Sequence, residues 1–458
     1  MDNTTDIFEL ANYGIKIAEK KAPNFKCAEI FFGKNEYTNI ELEENSIKYS
    51  EIGSDHGVSI RIYNRRGSLG FAFTNKFNKK IIEKIIKIAI KMMNAGTADP
   101  NFQNLPLKYK TYPNVKKLYD TSIETLTIEE SIEYVKDLIK ICKNDNLAIS
   151  QSGDFTSSSN ISYVFNSNDI EVFEKETVFS ISSNIIVKNK STGETSNGFE
   201  SQIKRKLKDI NGTNTAIEAL KNAKRNLNRI KIKSKKMPVI LSPKGTINLI
   251  LNPIASAINA ELFQYKRSFL VDKREKVIGS EYLTLEDNAL IDGAVGSSNF
   301  DGEGVPCMNK KIINKGFFLK SGLLHNSYTA GKEGVESTGN GSRRSFSSVP
   351  SIGISNFVMQ TGTSSVEEMI KDVKEGIFLN TTGDSANIAT GDFSGLISQG
   401  NLIKDGEIKQ ALNETMFGIN LLDLFKNIDA VSKDSRFYGP FKAPYVRIKD
   451  VQIIGAKS

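Results

Sequence analysis

The sequence predicts an α+β protein of two domains: an N-terminal α/β layer domain over 1–234, and a C-terminal β-rich domain with a central helix over 235–458. Three observations carry this prediction. A chain of 458 residues is longer than one ordinary hydrophobic core organises. Before a boundary at Ser234–Met237, helical and alternating apolar patterns take turns along the chain. Beyond that boundary strand patterns dominate, broken by glycine-rich segments.

The elements follow in order. Residues 5–21 place Ile7, Leu10, Ala11, Gly14, Ile17 and Ala18 at helical spacing. "CAEIFFG" and "YTNIELEEN" read as two successive strands, and "GVSIRIYNRRGSLGFAFTN" reads as a hairpin turning at Arg65-Arg66-Gly67. An amphipathic helix runs from Lys79 towards a cap at Gly96. After a loop with Pro100, Pro106 and Pro113, Thr127 and Glu130 form a capping-box signature ahead of another helix. The β pattern returns from Ala148 to about Lys190, and Asn214–Leu227 is a further helix. "VILSPKGTINLILNPIASAINAE", Val239 to Glu261, is a strand, a turn and a helix. Gly293–Pro306 and Glu336–Ser351 are loops by composition, and between them a hairpin is expected to turn at Lys320-Ser321-Gly322. "VEEMIKDVKEGIF" is a short helix and "DFSGLISQGNLIKDGEIKQAL" a hairpin. No internal repeat is legible in the residues.

Composition narrows the function. Hydrophobic residues make up 39% and charged residues 25%, ordinary for a globular protein in water. No apolar run approaches the roughly 20 residues of a membrane span. The opening segment lacks the basic and apolar regions of a secretory signal. Cys27, Cys142 and Cys307 lie far apart, as free thiols in a reducing compartment do. A cytoplasmic protein is expected. The net charge of +8 raises nucleic acid as a partner, with Leu220–Pro238 the densest basic stretch. No helix-turn-helix, zinc-finger or RNA-recognition signature accompanies it, so a solvated helix leading into a linker is the preferred reading.

The inventory for catalysis is thin. A catalytic zinc needs about three protein ligands, yet His56 and His325 are the only two histidines, and neither has a partner at ligand spacing. Asp301 and Glu303 share the loop "FDGEGVP", where they could hold a cation, act as acid and base, or simply cap turns. Asp384 and Asp392 sit in turn-like contexts. Thr338, Ser342 and Ser345 flank Arg343 and Arg344, but no base for a nucleophile is identifiable. "GNGSRR" could cradle an anion or serve as a structural loop.

Several ordered blocks carry a resemblance. "RRGSLGFAFTN", "VILSPKGTINLIL", "SSNFDGEGVPCMNKKIINKGFFLKSGLLHNSYTA", "ESTGNGSRRS", "TGDFSGLISQGNLIKDGEI" and "NLLDLFKNIDAVSKDSRFYG" resemble the TldD/PmbA family, also called the modulator-of-DNA-gyrase family. The resemblance spans nearly the whole chain and is strongest after Val239. It implies a heterodimeric metalloprotease acting on unfolded or flexible peptides. In that family the TldD-type chain holds zinc through HExxxH on the central helix and a cysteine near the C-terminus. Here those positions fall on Leu251, Asn252 and Ser256, with Tyr438 in the place of the cysteine. Five residues advance an ideal helix by about 500°, so ligands at that spacing diverge by about 140° and imply a distorted helix. Pro253 can preserve or replace that distortion.

The resemblance therefore implies a TldE/PmbA-like chain, inactive alone, with no cofactor of its own and with zinc in a TldD-like partner. Asp301, Glu303, Asn340 and Arg343 are the candidates for lining the shared peptide chamber. A homodimer is open to the isolated chain, and neither a membrane nor nucleic acid is expected as a partner. The alternatives are an autonomous peptidase using the loop carboxylates with another metal, and a nucleic-acid-binding regulator.

Overall fold

The computed structural model describes residues 4–455. In its first part, α1 (Thr4–Lys21), β1 (Phe25–Glu43), β2 (Ser46–Asn64), β3 (Leu69–Thr74) and α2 (Lys79–Ala95) make a helix, three strands and a helix. After the short α3 (Thr121–Glu124), the same order recurs in α4 (Ile128–Lys143), β4 (Ala148–Asn166), β5 (Ile170–Lys188), β6 (Thr195–Lys204) and α5 (Gly212–Arg225). The six strands form one antiparallel sheet in the order β3-β2-β1-β4-β5-β6. A repeat is thus present in topology although none is legible in the residues. Each half requires only alternating strands and amphipathic helices, and dissimilar residues meet that requirement.

Local chemistry explains the elements. Asn78 caps α2 by accepting the Ile81 N–H, and Ile82, Ile85, Ile86, Ala89 and Met93 form its buried stripe. Thr127 and Glu130 complete a reciprocal capping box on α4. The expected pair of strands over Cys27–Asn45 is in fact the single 19-residue β1. Its polar middle, Lys34–Glu36, remains in register with both β2 and β4, so backbone pairing carries the strand through. The chain turns back at Glu44 and Asn45, both at positive φ, as a tight hairpin requires.

Alternation gives this sheet two distinct faces. Ile30, Phe32, Ile60 and Ile62 pack in one core with Leu10 and Ala18 of α1 and Ile82 and Ile86 of α2. Phe31 and Val164 point the other way and pack with Phe300 from the second half of the chain. That outward face supports the site described below.

The second half runs β7 (Lys235–Leu241), α6 (Pro243–Thr246), α7 (Asn252–Ala257), α8 (Ala260–Gln264), β8 (Leu285–Asn288), β9 (Asn309–Asn314), β10 (Phe317–Phe318) and α9 (Ser327–Glu333). It continues through β11 (Gly341–Ser342), β12 (Ser351–Ile352), β13 (Phe357–Met359), α10 (Val366–Lys371), β14 (Glu375–Thr382), β15 (Asp392–Lys404), β16 (Glu407–Ala411), β17 (Met416–Asn420), α11 (Leu421–Lys426), β18 (Ile428–Tyr438) and β19 (Phe441–Ile454). The pairings of β7, β14, β15, β17 and β19 close into a ring, because β7 bonds to both β14 and β19. Leu249, Ile250, Leu251 and Ile254 of the central helix share one core with Val239, Leu241, Ile377, Phe417 and Val446 of that ring.

Two local expectations are corrected. The hairpin after Asn309 turns at Lys315-Gly316, both at positive φ, and not at Lys320-Ser321-Gly322. "EGIF" opens β14 and is not part of the preceding helix. Asp405-Gly406 turns the next hairpin, both again at positive φ. No helix among the described residues is long and apolar enough to cross a membrane.

Candidate functional site

The central helix is distorted where the sequence calls for distortion. Ile247–Leu251 form a wide π turn, with the Asn252 N–H reaching five residues back to the Ile247 carbonyl. Pro253, which has no N–H to donate, follows directly. Leu251 is fully buried in the main core, Asn252 is exposed and Ser256 is half-buried. Tyr438 lies at the tip of the β18–β19 hairpin. Its hydroxyl is 3.4 Å from Glu200 Oε2 on β6, and the Lys244 Nζ sits 5.2 Å from its ring centre. Lys244 also pairs with Glu200 at 3.1 Å and donates to the Phe199 carbonyl at 2.7 Å. Burial raises the Tyr438 phenol and lowers the Lys244 ammonium from their ordinary values. A lysine, a glutamate and a tyrosine thus clasp the edge of the first sheet to the second.

A second constellation lies where the glycine-rich loops meet the outward face of the first sheet. Glu29 on β1 stands directly opposite Arg61 on β2. Arg61 donates to Glu29 through Nε at 3.0 Å and to Glu303 Oε1 through Nη2 at 3.0 Å. Ser327, at the start of α9, gives its N–H to Glu303 Oε2 and its hydroxyl to Oε1, each at 2.7 Å. Arg343 donates to Glu29, donates to the Gly302 carbonyl at 2.7 Å, and stacks 4.7 Å from the Phe31 ring centre. Asp301 accepts three backbone N–H groups, from Glu303 at 2.8 Å, Val305 at 3.0 Å and Gly341 at 2.7 Å. Gly304 has a φ of +78°, and an added Cβ would lie 2.6 Å from Ile170 Cγ2, so only glycine fits there.

The electrostatics follow from burial. Burial opposes ionisation of Glu29, yet the Arg343 and Arg61 guanidinium groups hold its carboxyl below the usual range. Burial and the adjacent Glu303 carboxylate push Asp301 up to about 7, against the pull of its backbone donors. Burial also lowers the Arg343 guanidinium.

The four chamber candidates do not share one role. Asp301, Asn340 and Arg343 line a cleft of about 300 Å³ together with Phe31, Glu174 and Cys307. Glu303 is not among its lining residues: it is 1% exposed, bound to Arg61 and Ser327. Asn340 belongs to a neighbouring network, donating to Asp287 at 2.9 Å and to the Gly353 carbonyl at 2.8 Å. Asp384 and Asp392 accept local turn and strand donors, from the Leu396 N–H and the Asn420 amide. His56 is exposed and lies 5.5 Å from the Phe77 ring. The buried His325 side chain has its Nε2 3.7 Å from Glu333 Oε2.

Glu29 and Arg61 were not among the sequence-predicted residues, because their loop partners Arg343 and Glu303 are 314 and 242 positions away. A signal existed nonetheless. Each is a charge inside an apolar strand run, "CAEIFF" and "VSIRIY", and such a charge must find a buried partner.

The basic stretch is largely neutralised. Lys221, Lys224, Arg229, Lys231 and Lys235 pair with Glu218, Asp145, Glu194, Glu414 and Glu375. The Arg225 guanidinium lies 5.4 Å over the Phe378 ring centre.

Comparison with known proteins then places the chain. Family models of the PmbA/TldA metallopeptidases match it three times: domain 1 over 28–93, the central domain over 121–227 and the C-terminal domain over 234–455. A metalloprotease of Methanocaldococcus jannaschii is 31% identical over 419 residues, covering 89% of this chain and 90% of that protein. The chain belongs to the PmbA/TldD metallopeptidase family. A PmbA homologue of Buchnera aphidicola is 27% identical, covering 96% of both chains. A crystal structure from Bacteroides thetaiotaomicron, described as a modulator of DNA gyrase, is 26% identical with a TM-score of 0.87 and covers 100% of both chains. TldE from Thermococcus kodakarensis, at 23% identity, shares the fold with a TM-score of 0.86, covering 98% of this chain and 100% of that one.

For this PmbA/TldD family member, the residues at the expected zinc positions do not fit the metal. Leu251 is a core aliphatic, Asn252 an amide that takes up no proton near neutrality, and Ser256 a hydroxyl. Tyr438 is engaged with the Glu200–Lys244 pair. Among the described residues, no group of three or more His, Cys, Asp or Glu side chains is placed to hold a metal ion.

Proposed function

We propose that this chain is the TldE/PmbA-like, non-catalytic half of a two-chain metalloprotease, acting with a TldD-like subunit that carries the zinc. Its substrates are unfolded or flexible peptides, and its place is the cytoplasm. It supplies one wall of a shared chamber, with Asp301, Asn340 and Arg343 lining the cleft and Glu303 anchoring the loop. The chain divides into units at 1–234 and 235–458, and the isolated protein can pair with itself when the partner is absent.

The observation that carries this reading is the burial of Leu251. A ligand position turned fully into an apolar core, on a helix that keeps its π turn, fits a chain that retains the family scaffold without the metal chemistry. Engagement of Asp301 and Glu303 by protein donors weighs against the autonomous peptidase. Pairing of the basic stretch weighs against the nucleic-acid reading.

The test is reconstitution. The purified chain with zinc alone leaves a flexible reporter peptide intact. Adding a TldD-type partner yields cleavage faster than the partner shows by itself. Cleavage by the isolated chain, lost on chelation, would refute the proposal.

A further inference from the structure

The helical face of the first sheet is covered at its two ends and open between them. α1 and α2 pack on one end of the long strands, around Ile30, Phe32, Ile60 and Ile62. α4 and α5 pack on the other, around Ile40, Leu42, Phe155 and Phe179. The polar middle of β1 falls between these two layers, and a cleft of about 520 Å³ opens there.

Register sets out the floor of this cleft in rows. Phe32, Tyr163 and Phe173 lie side by side across β1, β4 and β5. Two residues along, Lys34, Ile161 and Lys175 make the next row, and Glu36 and Ser159 lie in the one after. Alternation turns all of them to the same face. Ile7 and Phe77 close the aromatic end. Phe173 is 53% exposed, so a large aromatic surface stands open beside the charges.

Those charges narrow the ligand. Among the described residues, the charged lining is Lys34, Lys175, Glu36 and Glu124. Lys34 pairs with Glu36 at 3.0 Å and Lys175 with Glu124 at 2.6 Å, and the four side chains are 29–49% exposed. Ion pairs this exposed contribute little and exchange partners readily. The two lysine backbones stand about 10 Å apart, two strand spacings, and their flexible stems can converge over Ile161. Two positive and two negative groups cancel, so the cleft disfavours a net anion or cation and complements a ligand that carries both signs. We infer that this cleft binds a free aromatic α-amino acid: its ring against Phe77 and Phe173, its carboxylate on Lys34 and Lys175, and its ammonium group on Glu36 and Glu124. The site stands independently of the proposed role in proteolysis.

Ligand-observed NMR titration of the full chain with L-phenylalanine at neutral pH tests this. Phenylalanine binds in the millimolar range or tighter. Phenylalaninamide and N-acetyl-phenylalanine, each lacking one of the two charges, bind roughly tenfold more weakly or worse. L-leucine, which has no ring to stack, binds more weakly too. So does phenylalanyl-alanine, whose carboxylate is a residue removed from its ammonium group. Lys175→Gln leaves the lining net negative; it weakens phenylalanine by about tenfold while phenylalaninamide holds its affinity, a split that a damaged fold does not produce. Phe173→Ala removes an exposed ring and weakens phenylalanine as well, which keeps the test decisive if the lysine variant folds poorly. Binding of either singly charged derivative, of leucine or of the dipeptide as tight as that of phenylalanine, indifference to both variants, or no binding at millimolar concentration would overturn the inference.

Discussion

Replacing Glu29 by glutamine probes the junction between the two sheets. The carboxylate is 1% exposed and is shared by Arg61 and Arg343, each nearly as buried. The glutamine keeps the shape and removes the charge. It leaves two guanidinium groups facing Glu303 alone, and its amide N–H points at one of them. Breaking a buried pair in this way costs about 3–5 kcal/mol. The lower figure corresponds to roughly a hundredfold increase in local opening, at about 1.4 kcal/mol per tenfold. The assay is native-state hydrogen exchange at the Glu303, Val305 and Gly341 amides, whose N–H groups bond to Asp301 on the same loops. They should lose about two decades of protection, while amides in the core of β5 hold theirs. A control at the half-exposed Lys235–Glu375 pair should move stability by at most about 1 kcal/mol. Protection of the three loop amides within a few-fold of the wild type would refute the junction as a cooperative lock.

Other outcomes follow from the same structure. Asp301 rises from 3.8 to about 7, so the folded state holds a proton that the unfolded state releases; its contribution is complete below pH 4 and is lost as pH rises through 7. Thermal unfolding followed from acidic to neutral pH should therefore slope downward more steeply in the wild type than in Asp301→Asn, and parallel profiles would contradict the assignment. Gly304→Ala forces a methyl group against Ile170 at positive φ and should lower the unfolding temperature by several degrees, for a cost of at least about 1–2 kcal/mol. Leu251→Ala should cost about 2–5 kcal/mol in a denaturant titration, and a negligible cost would show that Leu251 is no core residue.

Local features were legible where one residue type has one physical use. The Thr127–Glu130 box, the hairpin within "DFSGLISQGNLIKDGEIKQAL" and the Arg65-Arg66-Gly67 turn all stand where their chemistry requires. The strand through Lys34–Glu36 was not legible, since pairing on both edges overrides local polarity. Nor was the turn at Lys315-Gly316, because Lys-Ser-Gly nearby offers a competing signal and only the register of β9 with β10 decides between them. At the site, the acids of "FDGEGVP" were visible as charges in a glycine-rich loop, but their partners were not. Glu29 and Arg61 arrive from the first sheet, and no spacing along the chain encodes which face of a strand a distant loop will meet. The Lys244–Glu200–Tyr438 clasp was hidden for the same reason.

The junction also bears on the order of assembly. During synthesis Glu29 and Arg61 leave the ribosome early and can pair on their hairpin, while Glu303, Ser327 and Arg343 are still untranslated. The nascent sheet therefore displays a charged template to the surrounding water, and the later glycine-rich segments take their shape by settling onto it. A fragment beginning at the second sheet would leave Glu303, Arg343 and Lys244 without the counterions that Arg61, Glu29 and Glu200 of the first sheet provide.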